Sequence, residues 1–265
     1  MTEQYIGQEL SDWFSPVQLF QQVDQLEGEV FRQVARRRTI KVSLGAENYF
    51  AKIHHGVGWG EIFKNLLQGR LPVLGARNEW LAIKALRAAG VPTMEGVLYC
   101  ESGGNPALKK SAILTRSLEN RITLEDYETE NPMIKRHIIE LVATMAKSMH
   151  GAGVNHRDYY LCHFLLDQRS EEPQLNVIDL HRAQLRTKVP QRWLVKDLGG
   201  LLFSALEKGM TKRDLLRFVR VYSGDLTTLR TNRALWRGVI GRARKLYLQD
   251  HHSIPQDIGR LLEQP

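Results

Sequence analysis

Residues 156–166 read HRDYYLCHFLL, and VID (residues 177–179) follows after ten intervening residues. The last three residues of the first stretch predict a short buried strand, and residues 175–178 predict a second strand that ends at Asp179. Two such strands joined by a short connection form a hairpin. We therefore expect the hairpin to bring Asp158 and Asp179 to one end.

The His-Arg-Asp triplet gains weight from the segment that precedes it. By chance alone the triplet occurs in roughly a few per cent of chains of this size, and it could be an Arg–Asp pair in a polar loop. Here a helix-like run from Pro132 to His150 comes first, and Gly151, Gly153 and Asn155 supply a helix stop. Helix, loop and hairpin in this order favour a catalytic loop.

This order is typical of protein-kinase-like phosphotransferases. In that chemistry Asp158 receives the proton of the attacking hydroxyl, and Asp179, 21 positions on, holds Mg²⁺ against the phosphates of ATP. His163 stands five residues after Asp158, where protein kinases place a Mg²⁺-binding Asn. Because Mg²⁺ prefers oxygen ligands, His163 either binds the metal weakly or only orients Asp158.

The upstream half contains a candidate phosphate-binding lysine. Lys52 lies within the strand-like segment Tyr49–Ile53, where burial is costly unless a phosphate and a carboxylate lie nearby. An edge-strand lysine that faces water is the alternative. We expect Glu79, on the helix-like segment 76–89, to be the carboxylate, and Glu61 is its rival.

The segment before Lys52 departs from the protein-kinase pattern. Residues 28–39 contain no G-x-G-x-x-G sequence to cover the phosphates. We expect a hairpin of Val30–Ala35 and Thr39–Leu44 in that place. Residues 36–38, all Arg, would form its tip, either directed at phosphate or as an exposed basic turn.

Across nearly its whole length the chain resembles the lipopolysaccharide core heptose kinases, bacterial enzymes with a protein-kinase-like fold. The stretches that carry the resemblance are YFAKIH (49–54), LPVLGARNEW (71–80), GVNHRDYYLCHFLL (153–166), VIDLHRAQ (177–184) and KDLGGLLFSAL (196–206). The family carries His at position 163 and Leu-His after Asp179. These departures from protein kinases therefore favour the family rather than an inactive kinase.

The resemblance implies transfer of the γ-phosphoryl group of ATP to the first heptose of the inner core, at O4. It implies that residues 115–118 meet adenine through backbone groups, with Thr115, Arg116 and Leu118 as binding residues. At position 116 the family tends to have an acidic residue instead. It also implies that Asp197 steadies the catalytic loop, although Asp197 could also be an Asp at a helix N-terminus.

Only 18 positions separate Asp179 from Asp197, which is short for an activation segment that binds peptides. The spacing favours a small-molecule or glycan kinase. Another core sugar, or a protein side chain, is the alternative acceptor. A scaffold that has lost turnover would not need Lys52, Asp158 and Asp179 together.

Composition agrees with an anionic substrate. The net charge is +8 and the sequence pI about 9.5, with many arginines between Arg213 and Arg244. These are either solvated helix faces or attract nascent lipopolysaccharide and the anionic inner-membrane surface. We expect no nucleic-acid partner, because no nucleic-acid-binding motif accompanies the charge. The resemblance adds acyl carrier protein, an acidic partner.

Signals for export or membrane insertion are missing from the sequence. No signal peptide and no apolar stretch of roughly 20 residues is present. Cys100 and Cys162 suit a reducing compartment, and Cys162 should only pack. We therefore expect a cytoplasmic protein, peripheral to the inner face of the inner membrane.

The predicted fold class is α+β, a two-lobed protein-kinase-like fold with a small strand-rich N-lobe and a mostly helical C-lobe. We expect a helical lead-in at 1–27, the N-lobe at 28–116, a hinge at 117–120 and the C-lobe at 121–265. Within the lead-in, residues 11–17 could form an amphipathic anchor with Trp13, Phe14, Val17 and Phe20 on one side. The alternative is an N-terminal helix packed on the N-lobe.

Overall fold

A six-stranded antiparallel sheet and a set of packed helices make up most of the computed structural model, which describes residues 3–34, 36–69, 72–170 and 172–262. Its strands are β1 Gln4–Ile6, β2 Glu29–Val34, β3 Arg37–Leu44, β4 Glu47–His55, β5 Gly96–Ser102, β6 Lys110–Arg116, β7 Arg121–Thr123, β8 Val154–Asn155, β9 Phe164–Asp167, β10 Leu175–Val177 and β11 Gln184–Leu185. Its helices are α1 Leu19–Asp24, α2 Trp59–Leu67, α3 Arg77–Ala88, α4 Pro132–Gly151, α5 Gln191–Leu206, α6 Lys212–Ser223, α7 Thr228–Thr231, α8 Arg233–His251 and α9 Gln256–Leu261. The predicted α+β class is confirmed.

The chain divides into two units. The first comprises Met1–Lys84, Met94–Glu119 and Leu180–Arg182. The second comprises the remaining segments, which are Ala85–Thr93, Asn120–Asp179 and Ala183–Pro265.

In the first unit the strand order is β1-β5-β6-β4-β3-β2. Alternate residues of β4, namely Tyr49, Ala51 and Ile53, are buried in one core with α1. Because side chains alternate between the two faces of a strand, Lys52 points to the face opposite this core. The alternation therefore fixes the face of the sheet on which the Lys52 side chain lies.

The N-terminal segment differs from the helical lead-in that we predicted. Strand β1 pairs with β5 and extends the sheet, and only α1 is a regular α-helix. Of the two alternatives for the apolar residues of this segment, the structure favours packing on the N-lobe over a free amphipathic anchor, because Phe14 and Phe20 are buried in the sheet core while Trp13 and Val17 are exposed. Apolar side chains are buried against the nearest apolar surface, which here is a face of the sheet.

The basic hairpin also differs in detail. Strand β3 begins at Arg37, so Arg37 and Arg38 belong to a strand rather than to the tip. The Arg38 guanidinium lies 3.7 Å from the Asp24 carboxylate and is therefore directed at a protein group. Arg36 alone of the three lies in the turn, and the predicted end of the first strand, Ala35, is outside the described residues.

The second unit contains the predicted hairpin. Strands β9 and β10 pair antiparallel, with Phe164 opposite Val177, so the pair ends two residues before Asp179. Helix α5 packs against α8, and α4 packs against α6. The helix predicted at 132–150 is α4.

The C-terminal segment of the described chain is largely helical. Helix α8 continues to His251 and α9 follows it, while residues 263–265 lie outside the described part of the chain. Both cysteines are free thiols. Within the described residues, no helix combines the length and apolarity that crossing a membrane requires.

Candidate active site

In the first unit, a buried ion pair joins Lys52 to Glu79. Lys52 Nζ lies 2.8 Å from Glu79 Oε1, and the Glu79 side chain is 0% exposed while that of Lys52 is 15% exposed. Glu79 is the third residue of α3, where the positive end of the helix dipole favours a carboxylate. Strand and helix together hold the ammonium group in one position.

The rival carboxylate, Glu61, does not contact this lysine in the structure. Its side chain is 53% exposed and its partners are Asn65 and Lys64 within α2. Glu79 is therefore the partner that the structure selects.

In the second unit, the carboxylate of Asp197 holds the catalytic-loop backbone. The N–H of His156 donates to Asp197 Oδ2 at 2.7 Å, and the N–H of Arg157 donates to Oδ1 at 2.8 Å. Asp197 is fully buried. A buried carboxylate needs such donors, because without them its desolvation would be very unfavourable.

Asp197 lies in the second turn of α5, which begins at Gln191, so the alternative of an Asp at a helix N-terminus is wrong. Its position depends on close approach between α5 and the loop. A Cβ at Gly200 would lie 3.1 Å from the Tyr160 ring and 3.3 Å from the Tyr159 carbonyl oxygen. Gly200 therefore lets the helix lie against the loop.

A second layer supports Asp197. His150, in the last turn of α4, places Nε2 3.4 Å from Asp197 Oδ2, and its Nδ1 lies 2.9 Å from the Tyr222 hydroxyl. These contacts tie three helices to one carboxylate.

Two non-glycine residues of the site have backbone conformations in the left-handed region. Arg157 has φ of +77° and Asp179 has φ of +59°. Such conformations cost about 1 kcal/mol or more and persist only where surrounding contacts impose them. The hydrogen bonds of the loop supply that constraint. The resulting backbone conformation sets the direction of the residues that follow.

His156 connects the loop to the strand end before Asp179. Its Nε2 donates to the carbonyl oxygen of Ile178 at 2.9 Å, and its Nδ1 accepts the N–H of Asp158 at 3.3 Å. This pair of bonds requires the neutral imidazole with the proton on Nε2. Burial lowers the pKa of His156, which is fully buried, so the neutral form is kept at physiological pH.

His163 lies between the two acidic residues. Its Nδ1 is 2.6 Å from the backbone oxygen of Asp158 and donates to it. Its other ring nitrogen, Nε2, lies 3.7 Å from Asp179 Oδ2. A cation held here would meet both atoms, and the carboxylate is the better ligand for Mg²⁺.

Cys162 lies in the same loop and is half-buried. Burial raises the pKa of its thiol to about 11. The thiol therefore stays protonated, as the packing role predicts.

The predicted adenine-binding segment, residues 115–118, comprises the end of β6 and the two residues that follow it. The N–H groups of Arg116 and Ser117 donate to the carbonyl oxygens of Glu95 and Asn48. The Arg116 side chain contacts Glu9, Glu47 and Glu95, at 3.2, 3.0 and 3.1 Å. Arg116 therefore serves the internal structure of the first unit, and Thr115 is buried. Leu118, the third predicted binding residue, is half-buried.

Sequence reasoning missed several residues that shape the site. Tyr222 is far from the motif along the chain, whereas His150 precedes His156 by only six residues, and nothing in the local pattern of either residue points to Asp197. Thr93 was also missed: its hydroxyl donates to the Val177 carbonyl oxygen at 2.6 Å. Such long-range pairs leave no periodic signal.

The fold and the loop are those of a protein-kinase-like phosphotransferase, and comparisons with known proteins agree. The model of the lipopolysaccharide kinase (Kdo/WaaP) family matches residues 21–222. Lipopolysaccharide core heptose(I) kinase WaaP of Pseudomonas aeruginosa is 49% identical over 213 residues, which are 77% of this chain and 80% of that protein. The protein of the same name from Escherichia coli strain K12 is 50% identical over 215 residues, covering 77% and 81%.

A solved structure is similar as well. WaaP in complex with acyl carrier protein superposes with a TM-score of 0.80 at 38% identity, covering 92% of this chain and 99% of that one. The chain belongs to the lipopolysaccharide kinase (Kdo/WaaP) family. The predicted resemblance, the kinase-like fold and the phosphotransferase class are confirmed, and a kinase of this class takes ATP as its phosphoryl donor.

We expect Asp197→Asn to loosen the loop, because an amide cannot accept both backbone N–H groups. Leaving one buried donor unpaired should lower the free energy of unfolding by about 1–3 kcal/mol. Urea unfolding measures this loss, and hydrogen exchange at the amides of His156 and Arg157 should accelerate.

Asp225→Asn is the matched control. Asp225 also accepts a backbone N–H, from Thr227, but at an exposed position where water replaces the bond. Equal effects of the two substitutions would contradict the role given to Asp197.

Proposed function

We propose that this protein transfers the γ-phosphoryl group of ATP to O4 of the first heptose in the lipopolysaccharide inner core. The observation that carries the proposal is about 50% identity to proteins named heptose(I) kinase, over 77% of the chain. The loop geometry supports it, because a positioned carboxylate and a buried Lys–Glu pair are the parts that phosphoryl transfer needs.

Asp158 is the proposed base. The loop before it is held by Asp197, and its own N–H and carbonyl oxygen are bonded to His156 and His163. A base held on both sides can meet the acceptor hydroxyl without reorganisation, and it accepts the proton as the oxygen attacks phosphorus.

Lys52 is the proposed ligand of the ATP phosphates. The buried Glu79 carboxylate holds the ammonium group of Lys52 in place. A positioned ammonium group stabilises the charge on the phosphates of the nucleotide.

Asp179 is the proposed Mg²⁺ ligand, with His163 Nε2 beside it. When bound, Mg²⁺ would neutralise charge on the phosphates. The carboxylate suits this hard cation, whereas the imidazole is a weaker ligand for it. His163 therefore acts mainly by positioning the Asp158 backbone.

We assign adenine recognition to the backbone of residues 115–118. The N–H groups of Arg116 and Ser117 are used inside the protein, so the backbone of Leu118 is the best placed of the predicted groups. Side chains contribute little there. This explains how a basic residue at position 116 is compatible with nucleotide binding.

A glycan acceptor agrees with the short connection after Asp179. Only residues 180–190 lie between Asp179 and the start of α5. So short a segment leaves little backbone to bind an extended peptide. A sugar hydroxyl needs no such platform.

The direct test is phosphate transfer from radiolabelled ATP to dephosphorylated inner-core lipopolysaccharide. We expect label in the glycan, and Asp158→Asn should lower kcat by roughly 10²–10⁴ while ATP binding is retained, because only proton transfer and positioning are lost. A core lacking the first heptose and a generic protein serve as parallel acceptors. Label in either of these, and none in the full core, would contradict the proposal.

The metal assignment predicts different outcomes for two substitutions. Asp179→Asn should abolish Mg²⁺-dependent nucleotide binding, measured by titration calorimetry with and without the metal. His163→Asn supplies an amide oxygen in place of a nitrogen, so half-maximal activity should need no more Mg²⁺ than the wild type needs. A much higher Mg²⁺ requirement in His163→Asn would make the imidazole an essential ligand instead.

We further propose acyl carrier protein and the anionic inner leaflet as partners, with the protein in the cytoplasm, where ATP is available. The named complex of the similar structure supports the first partner. Exposed arginines on α6 and α8, among them Arg213, Arg220 and Arg244, would attract acidic surfaces.

Affinity-purified protein should retain acyl carrier protein at low salt and lose it as salt rises, as mass spectrometry of the eluate would show. Purification without acyl carrier protein would contradict the first partner, and absence of binding to anionic vesicles would contradict the second. Recovery of the protein from the periplasm would contradict the cytoplasmic location.

A further inference from the structure

Helix α2 of the first unit presents apolar side chains to solvent. Trp59, Phe63, Leu66 and Leu67 are each at least half exposed, and Leu67 is 89% exposed. Among the nine residues of the helix, all of which the structure describes, Ile62 is the buried one. We call Trp59, Phe63, Leu66 and Leu67 the α2 face.

The apolar residues of α2 lie together on one side of the helix. With about 3.6 residues per turn, the α2 face and Ile62 span about 140° of the circumference. Glu61, Lys64 and Asn65 lie on the other side. An amphipathic helix on the surface of a globular protein normally turns its apolar side to the core. Here the apolar side is turned largely to solvent, and its edge, Ile62, is what the protein covers.

The start of α2 is fixed to the first unit. The N–H of Gly58, its N-cap, donates to the carbonyl oxygen of Ala107 at 2.9 Å. Gly58 has φ of +77°, a conformation that glycine adopts without strain, and it turns the chain from β4 into the helix. The α2 face is therefore presented by a helix that is bonded at its start and packed through Ile62.

The side chains of the α2 face are those that proteins place at membrane interfaces. The rings of Trp59 and Phe63 stack with their centroids 5.8 Å apart. Tryptophan is enriched where the headgroups of a bilayer meet water, and leucine and phenylalanine enter the acyl boundary below. Leu108, which follows Ala107 directly, adds another exposed apolar side chain near the start of the helix.

Cations flank the α2 face on the protein surface. A Cβ at Gly58 would lie 2.7 Å from Arg36 Nη1, so this exposed arginine reaches the start of the helix. Lys64 is exposed and contacts Glu61 at 3.8 Å, and an exposed ion pair of this kind contributes little. Both cations would lie near lipid phosphates if the apolar side entered a bilayer. Burial of apolar surface supplies the main attraction, so neither cation needs to be unpaired.

We propose that the α2 face enters the headgroup region of an anionic lipid bilayer and holds the protein on the membrane surface. A helix that lies in the plane of the interface needs to reach only roughly 5–10 Å into the bilayer, which side chains of this size achieve. The inference specifies how the inner leaflet, a partner under the proposed function, is contacted, and it rests on that proposal.

A second copy of the chain fits the α2 face less well. Stable interfaces between proteins engage roughly 20–30 residues a side. A nine-residue helix with four exposed apolar side chains offers far fewer. A fluid bilayer needs no complementary surface, because lipids rearrange around whatever apolar side chains enter it.

Co-sedimentation with vesicles of phosphatidylethanolamine and phosphatidylglycerol tests the α2 face directly. In the double variant Phe63→Gln/Leu67→Gln, the partition coefficient should fall by roughly tenfold or more, because two large apolar side chains are lost from the contact. Gln keeps a high helix propensity, so the thermal midpoint should stay the same. Met133→Gln is the matched control, since Met133 is a 75% exposed apolar residue on α4, and it should bind as the wild type does.

Quenching by lipids with brominated acyl chains locates the inserted residue. Trp59 and Trp13 are each about half exposed, so a bilayer could reach either one. We expect brominated vesicles to quench wild-type fluorescence, Trp59→Phe to lose most of that quenching, and Trp13→Phe to keep it. Quenching that depends on Trp13 and not on Trp59 would place the membrane contact elsewhere and overturn the inference.

Kinetics separate membrane contact from catalysis. In the double variant, KM for lipopolysaccharide embedded in vesicles should rise by roughly tenfold or more, since the protein is no longer concentrated on the membrane. KM for the water-soluble core oligosaccharide, and kcat, should match the wild type, because no proposed site residue is changed. A face that only stabilises the fold would affect both acceptors alike.

The remaining outcomes are distinguishable. Vesicle binding that is equal in the wild type and the double variant would overturn the inference alone. Loss of acyl carrier protein, or of a dimer, in that variant with vesicle binding unchanged would assign the α2 face to a protein partner instead. No vesicle binding by the wild type would overturn the inference together with the proposed membrane partner. No wild-type transfer to either acceptor would overturn the proposed function, while vesicle binding would still decide the inference.

Discussion

The buried carboxylate of Asp197 is the constraint on which the catalytic loop depends. Its two oxygens accept the N–H groups of His156 and Arg157, and these bonds hold Arg157 in a left-handed conformation. Asp158 follows directly, so the direction of its side chain is inherited from the carboxylate. A polar group that would be costly to bury alone becomes the organising element, because its partners are backbone donors.

Two histidines connect this part of the loop to the residues around Asp179. His156 fixes the strand end before Asp179, and His163 connects the Asp158 backbone to the neighbourhood of the Asp179 carboxylate. In the first unit a buried carboxylate again positions its partner, but here the partner is a cation, because Glu79 holds Lys52. Asp197 thus fixes the position of Asp158, and Glu79 fixes the position of Lys52.

Local patterns predicted much of this arrangement. The β9–β10 hairpin, the strand of Lys52 and the helix of Glu79 follow from short-range periodicity, and the stretch around Asp158 pointed to the loop. The predictions failed where distant contacts decide the structure. The amphipathic spacing of Phe14 and Phe20 left open whether they form a free face or pack on the N-lobe, and only the sheet shows what covers them. Likewise, Arg38 turns towards Asp24.

The proposed reaction places a phosphate on one hydroxyl of one sugar. The most direct measurement is ³¹P–¹H correlation NMR of the core oligosaccharide released after reaction with the purified protein and ATP. We expect a new phosphomonoester whose phosphorus couples to the proton at C4 of the first heptose. A phosphorus signal coupled to a different sugar would contradict the acceptor, and a glycan without new phosphate would contradict the claim as a whole.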